Sequence, residues 1–341
     1  MKQYRVAIVG VTGIVGQEIV KILEQRNFPL SDLHLLATDG TGGKKLYFKH
    51  RELPVTETGH DSFNGMDIAF FSAGGNISRH LVPIAIRAGA VVIDNTDIWR
   101  MEGEVPLIIP EVNPEDMASH KGIIATPTCT TTQLLVTLAP LHRVNPITRI
   151  IVVTFQSVSG AGAAAIEELT TQVRHVLDGQ RAVPRVFPHQ IAFNLLPEID
   201  VFLDTGYTRE ERKIMDETRK ILHAPELPVS ATCVRVPTFI GHGEAVHVEF
   251  THPFPPDEAR QILSHSPGVK VLDDPTVNLY PQPWSVAGTD EVYVGRIHRD
   301  AAFKHGLTLW IVADNIRKGA ALNAVQIAEE MIKRGWLAPG G

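Results

Sequence analysis

Cysteine is nearly missing from this chain. Cys129 and Cys233 are the only two in 341 residues, too few for a disulfide framework or a zinc site, and such sparing use suits a reducing compartment. No metal site is expected. Positive charge is not in excess either. Lys and Arg number 32 against 38 Asp and Glu, for a net charge of −6, and the cations are scattered without a basic stripe, which argues against nucleic acid as the main partner. Apolar runs stay well short of the ~18 residues that a membrane-spanning helix needs. The start, "MKQYRVAIVG", lacks a basic region, a long apolar stretch and a cleavage site, so the chain reads as soluble, unexported and cytoplasmic. Internal repeats, low-complexity tracts and any clean linker are also missing.

What is present suits two intertwined domains, because the chain is too long for one small core and 44% of its residues are hydrophobic. "YRVAIVG" predicts a strand, Ile14–Glu24 carries apolar residues at helical spacing, and "DLHLLAT" predicts a second strand. "MDIAFFSAGG" ends a third strand in glycines, followed by a helix through Leu81–Ala88 and the strand "AVVIDNT". Repeated βα units predict a parallel sheet with helices on both faces, a Rossmann-like α/β dinucleotide-binding domain. From Cys129 onward the pattern changes. "ITRIIVVTF" is a long β-branched strand and Ala163–Leu177 a helix. "LPVSATCVRVPTFI", "GEAVHVEF", "EVYVGRI" and "GLTLWIVADN" are strands joined by longer or Pro-rich segments, which predicts an α+β domain with a mostly antiparallel sheet. The amphipathic "KGAALNAVQIAEEMIKRG" closes the chain and is expected to return to the first domain. The expected division is 1–128 plus 316–341, and 129–315.

Gly10, Gly13 and Gly16 stand between the first strand and the first helix. There, glycine lets backbone N–H groups and a helix N-terminus approach a pyrophosphate, or it merely turns a strand into a helix. The next turn, "ATDGTGGKK", offers Thr38, Asp39 and Thr41. Asp39 lies 23 residues beyond Gly16, near the spacing of an acid that binds a ribose 2′-hydroxyl, and no arginine stands there to meet a 2′-phosphate.

Cys129, in "ATPTCTTTQLL", sits between a proline turn and the first turn of a helix. It is either a buried small hydrophobe or a nucleophile whose pKa the helix N-terminus lowers. Gln156 ends the long strand beside "SVSGAG" and can orient a substrate by its amide. Arg235 and His242 flank "VPTFIG", bringing a cation able to clasp a carboxylate near an imidazole able to carry a proton. Singly these residues have structural explanations; with a cofactor loop they form a Cys/His oxidoreductase pattern. Glu210 and Lys213 fall at i,i+3 on one helix, ordinarily a surface ion pair, and Arg100 follows "DNTDIW" as an ordinary surface arginine.

Together these blocks resemble the aspartate-semialdehyde dehydrogenase family over nearly the whole chain, through "VGVTGIVGQE", "FFSAGG", "VIDNTDIWRMEGEVPLIIPEVN", "TPTCTTTQLL", "FQSVSGAG", "GYTREERK", "VRVPTFIGHGEAVHVEF" and "VADNIRKGAALNAVQIAE". The resemblance implies that Cys129 is the nucleophile, His242 the acid/base and Gln156 the residue that orients the aldehyde. It implies Arg235 and Glu210 as holders of the substrate's carboxylate and amino group, and Arg100 and Lys213, with Thr128, at the phosphate. For the cofactor it implies Gly10, Thr12, Gly13, Ile14 and Val15 at the pyrophosphate, and Thr38, Gly40 and Thr41 at the ribose. Ser72, Gly74 and Asn95 join them, and Ser159, Gly160 and Asn315 take the nicotinamide end. The implied reaction is reductive dephosphorylation of L-4-aspartyl phosphate to L-aspartate 4-semialdehyde with NADP, through an acyl-thioester, on the route to lysine, threonine and methionine. The implied partners are that substrate, inorganic phosphate and further copies of the chain, as a homodimer or homotetramer. Two departures stand out: Thr126-Pro127-Thr128-Cys129 replaces the common N-P-N-C, and the ribose turn lacks the arginine of S-x-R-S, which leaves NAD possible. The competing readings are a related acyl-phosphate or acyl-thioester reductase with another substrate, and a non-catalytic paralogue.

Overall fold

The computed structural model describes residues 2–38, 40 and 42–337, in two compact units: residues 1–128 with 320–341, and residues 129–319.

In the first unit the chain runs β1 (Tyr4–Val9), α1 (Ile14–Gln25), β2 (Leu30–Ala37), β3 (Lys45–Phe48), β4 (Arg51–Glu57), β5 (Ile68–Phe71), α2 (Gly75–Arg87), β6 (Val91–Asp94) and β7 (Ile123–Ala125). The seven strands form one sheet in the order β3-β4-β2-β1-β5-β6-β7, parallel at every pairing except β3–β4. "IAFF" and "VVID" are buried at every position, as expected of central parallel strands covered on both faces. The closing helix, Leu322–Arg334, adds Leu322, Val325, Ile327 and Met331 to the same core as Ile8, Ile19, Leu23 and Ile108. Each such side chain contributes about 1.5–3 kcal/mol by leaving water. Arg26, the C-cap of α1, also grips Glu329 of that helix with two bonds of 2.8 and 2.7 Å.

The sequence did not announce the β3–β4 hairpin. In "RELPVTE" only Val55 is buried, and Pro54 with charged neighbours marks an exposed edge whose apolar alternation is too weak to read. The second helix also starts earlier than its apolar stretch, at Gly75, because its first turn is polar.

The second unit contains α3 (Cys129–Val144), β8 (Ile147–Gln156), α4 (Ala163–Leu177), α5 (Arg209–Ile221), β9 (Val229–Arg235), β10 (His242–Phe250), α6 (Pro256–Ser264), β11 (Val269–Val271), α7 (Pro283–Val286), β12 (Val292–Arg299) and β13 (Gly306–Ala313). Its sheet has the order β11-β12-β13-β10-β8-β9. The expected antiparallel character holds for β8, β10, β13 and β12, but β9 lies parallel to β8 and β11 parallel to β12, so the sheet is mixed. The segment from β8 to β9 carries α4 and α5, long enough for the crossover that a parallel pair needs. α3 is buried on nearly all sides, from Thr130 through Leu141, which makes it a core helix rather than an amphipathic surface one.

Candidate active site

Three strand ends and one helix start carry Gln156, Arg235, His242 and Cys129, and α5 carries Glu210 and Lys213. Gln156 ends β8 and is in register with Arg235, which ends β9; Phe155 pairs with Gly243, which brings His242, the first residue of β10, alongside Gln156. Because side chains alternate along a strand, Arg235, Gln156 and His242 share one face. All three are buried, with 6, 2 and 0% of their surface exposed, a degree no solvated strand end would show. Cys129 opens α3, where the helix N-terminus favours negative charge on sulphur. Arg235 senses the charges of both Glu210 and Cys129, which oppose the downward pull of burial on its own pKa.

The hydrogen bonds between these groups are specific. The Gln156 amide donates to Glu210 Oε1 at 3.3 Å while its carbonyl oxygen accepts from Thr154 Oγ1 at 2.8 Å. Glu210 is buried, against the expectation of a surface pair, and Lys213 stands 3.6 Å from it and 3.1 Å from Asp200. Arg235 Nη1 donates to the carbonyl of Ser157 at 2.8 Å, and the N–H of Ser157 donates to His242 Nδ1 at 3.0 Å. That donor requires Nδ1 to accept, so the neutral ring carries its proton on Nε2. Burial first, and the Arg235 charge second, pull the His242 pKa down to about 3, and its Nε2 is buried without a partner. The resting ring is therefore neutral and presents an unused N–H.

Gly160 lies against both groups: a Cβ there would come within 3.0 Å of Arg235 Nη1 and 3.4 Å of His242 Nε2. Asn315 donates to Ser159 Oγ at 3.0 Å and accepts from the N–H of Gly241 at 2.9 Å, which fixes the entry of β10. Cys233, the other thiol, is fully buried, and burial followed by the Glu210 charge pushes its pKa up. It is a structural residue.

The glycine turn of the first unit is built for close approach. Gly10 has φ +82°, and a Cβ there would lie 2.9 Å from the backbone of Ala73; a Cβ on Gly16 would lie 2.4 Å from the carbonyl of Gly10. α1 has Gly13 at its N-cap with no side-chain cap, so its first-turn N–H groups find no acceptor within the helix. They suit a pyrophosphate, whose oxygens a helix N-terminus receives. Thr12, Ile14 and Val15 are half-buried in this turn, and the strand order places it where the chain departs to opposite sides of the sheet from β1. Ligands of such sheets bind at that point. Ser72 bonds back to the carbonyl of Val9 at 3.2 Å, and Gly74, with φ +87°, caps α2. Asn95 donates to Phe71 O and accepts from Thr126 Oγ1, while Arg100 Nη2 donates to Asn95 O at 3.0 Å. Arg100 and Thr128 are both buried, so Arg100 is not an ordinary surface arginine. Thr38 is half-buried and Gly40 exposed; Asp39 and Thr41 lie outside the described residues.

Known proteins share this organisation. The family model described as "Semialdehyde dehydrogenase, NAD binding domain" matches residues 5–120, and "Semialdehyde dehydrogenase, dimerisation domain" matches 138–318. An aspartate-semialdehyde dehydrogenase of Aquifex aeolicus is 52% identical over 97% of this chain and 99% of its own length. One of Bacillus subtilis is 46% identical over 96 and 97%. The chain belongs to the aspartate-semialdehyde dehydrogenase family. Within that family, the crystal structure of aspartate semialdehyde dehydrogenase II from Vibrio cholerae complexed with ASA superposes with a TM-score of 0.95 at 44% identity, covering 98% of this chain and 99% of that one.

Several residues that shape the cluster escaped sequence reasoning. Ser157 acts through its main chain, which no residue type signals, although it stands in the "FQSVSGAG" block. Gly319 belongs to a π-helical turn, Arg317–Ala321, and a Cβ on it would come 2.6 Å from that of Cys129. Such turns often mark functional sites, and the glycine inside a helical run was the available signal. Among the described residues no group of His, Cys, Asp and Glu could hold a metal ion, and no helix is long and apolar enough to cross a membrane.

Proposed function

We propose that this member of the family converts L-4-aspartyl phosphate reversibly to L-aspartate 4-semialdehyde and phosphate, working in the cytoplasm on the route to lysine, threonine and methionine. The observation that carries the reading is the buried convergence of Gln156, Arg235 and His242 on one face of the mixed sheet, with Arg235 sensing Cys129.

The Cys129 thiolate attacks the acyl carbon, forming a C–S bond as the C–O bond to phosphate breaks, and an acyl-thioester remains. Arg235 clasps the substrate carboxylate and Glu210 its amino group, a division that suits a zwitterionic amino acid and explains why a buried cation and a buried anion stand together. Gln156, held by Thr154 and Glu210, orients the reacting carbonyl. Arg100, Lys213 and Thr128 receive the phosphate, the threonine hydroxyl serving where the family commonly has asparagine. The Nε2–H of His242 meets the carbonyl oxygen as negative charge develops on it. The acid/base role implied for this ring requires protonation, which burial and Arg235 oppose until a bound anion offsets them.

A nicotinamide dinucleotide, when bound, supplies the hydride that takes the thioester to the aldehyde level. Gly10, Thr12, Gly13, Ile14, Val15, Thr38, Gly40, Ser72, Gly74 and Asn95 would hold it in the first unit, and Ser159, Gly160 and Asn315 would face its nicotinamide end. Collapse of the resulting thiohemiacetal oxyanion re-forms the C=O bond as the C–S bond breaks, releasing the aldehyde and returning the thiolate. The cofactor in this reading is NADP, with NAD also used, and the working assembly a homodimer or a tetramer of dimers.

The test is turnover of purified protein with L-aspartate 4-semialdehyde, phosphate and either dinucleotide, beside a Cys129→Ser variant. Reduced cofactor should form with wild type only. Absence of turnover with both dinucleotides, or a serine variant at near-full rate, overturns the reading.

A further inference from the structure

Glu244 follows His242 by two residues on β10 and so faces the same side of the sheet, one row farther from the strand ends. It is completely buried. Neither of its carboxyl oxygens has a hydrogen-bond partner, and neither has Oε1 of Gln133. The Gln133 side chain stands against that carboxyl, and its Nε2 donates to the main-chain oxygen of His242 at 3.4 Å. Gln133 lies four residues after Cys129 on α3 and therefore on the same helix face. On the sheet, Glu244 is in register with Thr154 and Ile311, but Thr154 already gives its hydroxyl proton to Gln156. One glutamine thus spans from the nucleophile's helix to the main chain of the imidazole, and a buried acid backs it.

We propose that Glu244 is a positioning residue: its carboxyl fixes the Gln133 amide, and through that amide it holds the His242 main chain at a set place relative to the helix that begins with Cys129. The inference rests on the roles given above to Cys129 and His242. The carboxylate and Gln133 Oε1 both only accept, so they cannot bond to each other, and burial penalises the ionised carboxylate by more than the one amide beside it offsets. A proton on Glu244 resolves both, because its O–H then donates to Gln133 Oε1. Burial raises the pKa of this carboxyl well above the ordinary range, although the Gln133 amide works in the other direction. Cys233 senses Glu210, Glu211 and Glu244 together, so an ionised Glu244 would add a third carboxylate to two already there. A neutral acid adds none.

The experiment compares Glu244→Met, Glu244→Gln, Gln133→Leu, the E244M/Q133L double variant and Cys129→Ser by steady-state kinetics and thermal unfolding. An amide can also donate to Gln133 Oε1, so E244Q should keep kcat within about threefold of wild type. Methionine fills similar volume without a donor, and exchanging a neutral buried acid for it leaves a single amide oxygen unpaired, a modest cost in stability. E244M should therefore unfold near the wild-type midpoint while kcat falls about 10–100-fold with KM within about threefold, the cost of misplacing reacting groups by a fraction of an ångström or more. Q133L should reproduce that loss, and adding E244M to it should cost nothing further, since the two act as one unit. E244M at wild-type kcat overturns the proposal, as does E244Q falling as far as E244M, or full additivity in the double variant. Should E244M fail to fold, Q133L decides alone, with wild-type kcat counting against the proposal and the 10–100-fold loss for it. C129S that still turns over would overturn the nucleophile assignment instead; C129S inactive beside a fully active E244M would overturn only the positioning role.

Discussion

Gly319→Ala puts a methyl group where Cys129, the proposed nucleophile, already is. The added Cβ would lie 2.6 Å from the Cβ of Cys129 and 3.2 Å from its Cα, whereas carbon atoms settle at about 3.5–4.0 Å. One side must give by about 1 Å. The backbone is not the obstacle, because Gly319 is absent from the positive-φ positions. It sits in the π-helical turn and donates to Asp314 O, five residues back, at 3.1 Å. Alanine there gains up to about 1 kcal/mol of helical preference against an overpacking cost of about 1–3 kcal/mol, so the net loss of stability should be about 0–2 kcal/mol. Activity should suffer more. A 1 Å displacement of a reacting group can cost about 100-fold, equivalent to about 2.7 kcal/mol of transition-state stabilisation. The expected result is a kcat/KM about 100-fold down, measured from the absorbance of the reduced dinucleotide, with a thermal midpoint only a few degrees lower. Alkylation of Cys129 by iodoacetamide should slow in parallel. Wild-type kcat/KM in a folded G319A protein would refute the consequence drawn from the close approach of this turn to Cys129.

Three further outcomes are expected. Native protein should yield one thiol to a disulfide reagent and denatured protein two, because Cys129 is partly exposed while Cys233 is buried with its pKa pushed up; two reactive thiols in the native protein would count against the structural role of Cys233. The folded His242 ring stays neutral down to about pH 3 while an unfolded one charges near 6.5, so the unfolded chain binds the extra proton and stability falls as pH drops through that window. By pH 5 the loss should reach about 2 kcal/mol relative to His242→Asn in urea unfolding, and curves that stay parallel from pH 7 to 5 would contradict it. The sequence of the turn proposed to meet the ribose holds no arginine, so kcat/KM with NADP and NAD should be comparable; a preference above about 100-fold, about 2.7 kcal/mol, would refute that expectation.

Local pattern carried much of this protein. The buried strands β1, β5 and β6 stand out as apolar runs interrupted only by Arg5 and Asp94, α4 spans Ala163–Leu177 as its spacing predicted, and Cys129 opens its helix because a proline turn precedes a threonine-rich first turn. Order along the chain sufficed for these, since periods of 2 and 3.6 are written in neighbouring residues. It also sufficed for the family, whose blocks recur in sequence. The hairpin of β3 and β4 stayed invisible for the complementary reason: an exposed edge needs no apolar face, so it leaves no period to read.

Only the tertiary structure decided the rest. Burial of Gln156, Glu210 and Arg235 follows from strands and a helix far apart in sequence closing over one another, and their residue types alone describe a solvated surface. The tautomer of His242 depends on a main-chain N–H at Ser157, 85 residues away, and a main-chain group carries no sequence signature. The same holds for Gly319 against Cys129 and for Glu244 behind Gln133. Sequence determined which elements form and which side chains are available to them; register and packing determined which of those side chains lose water together, and that loss sets their charge and their reach.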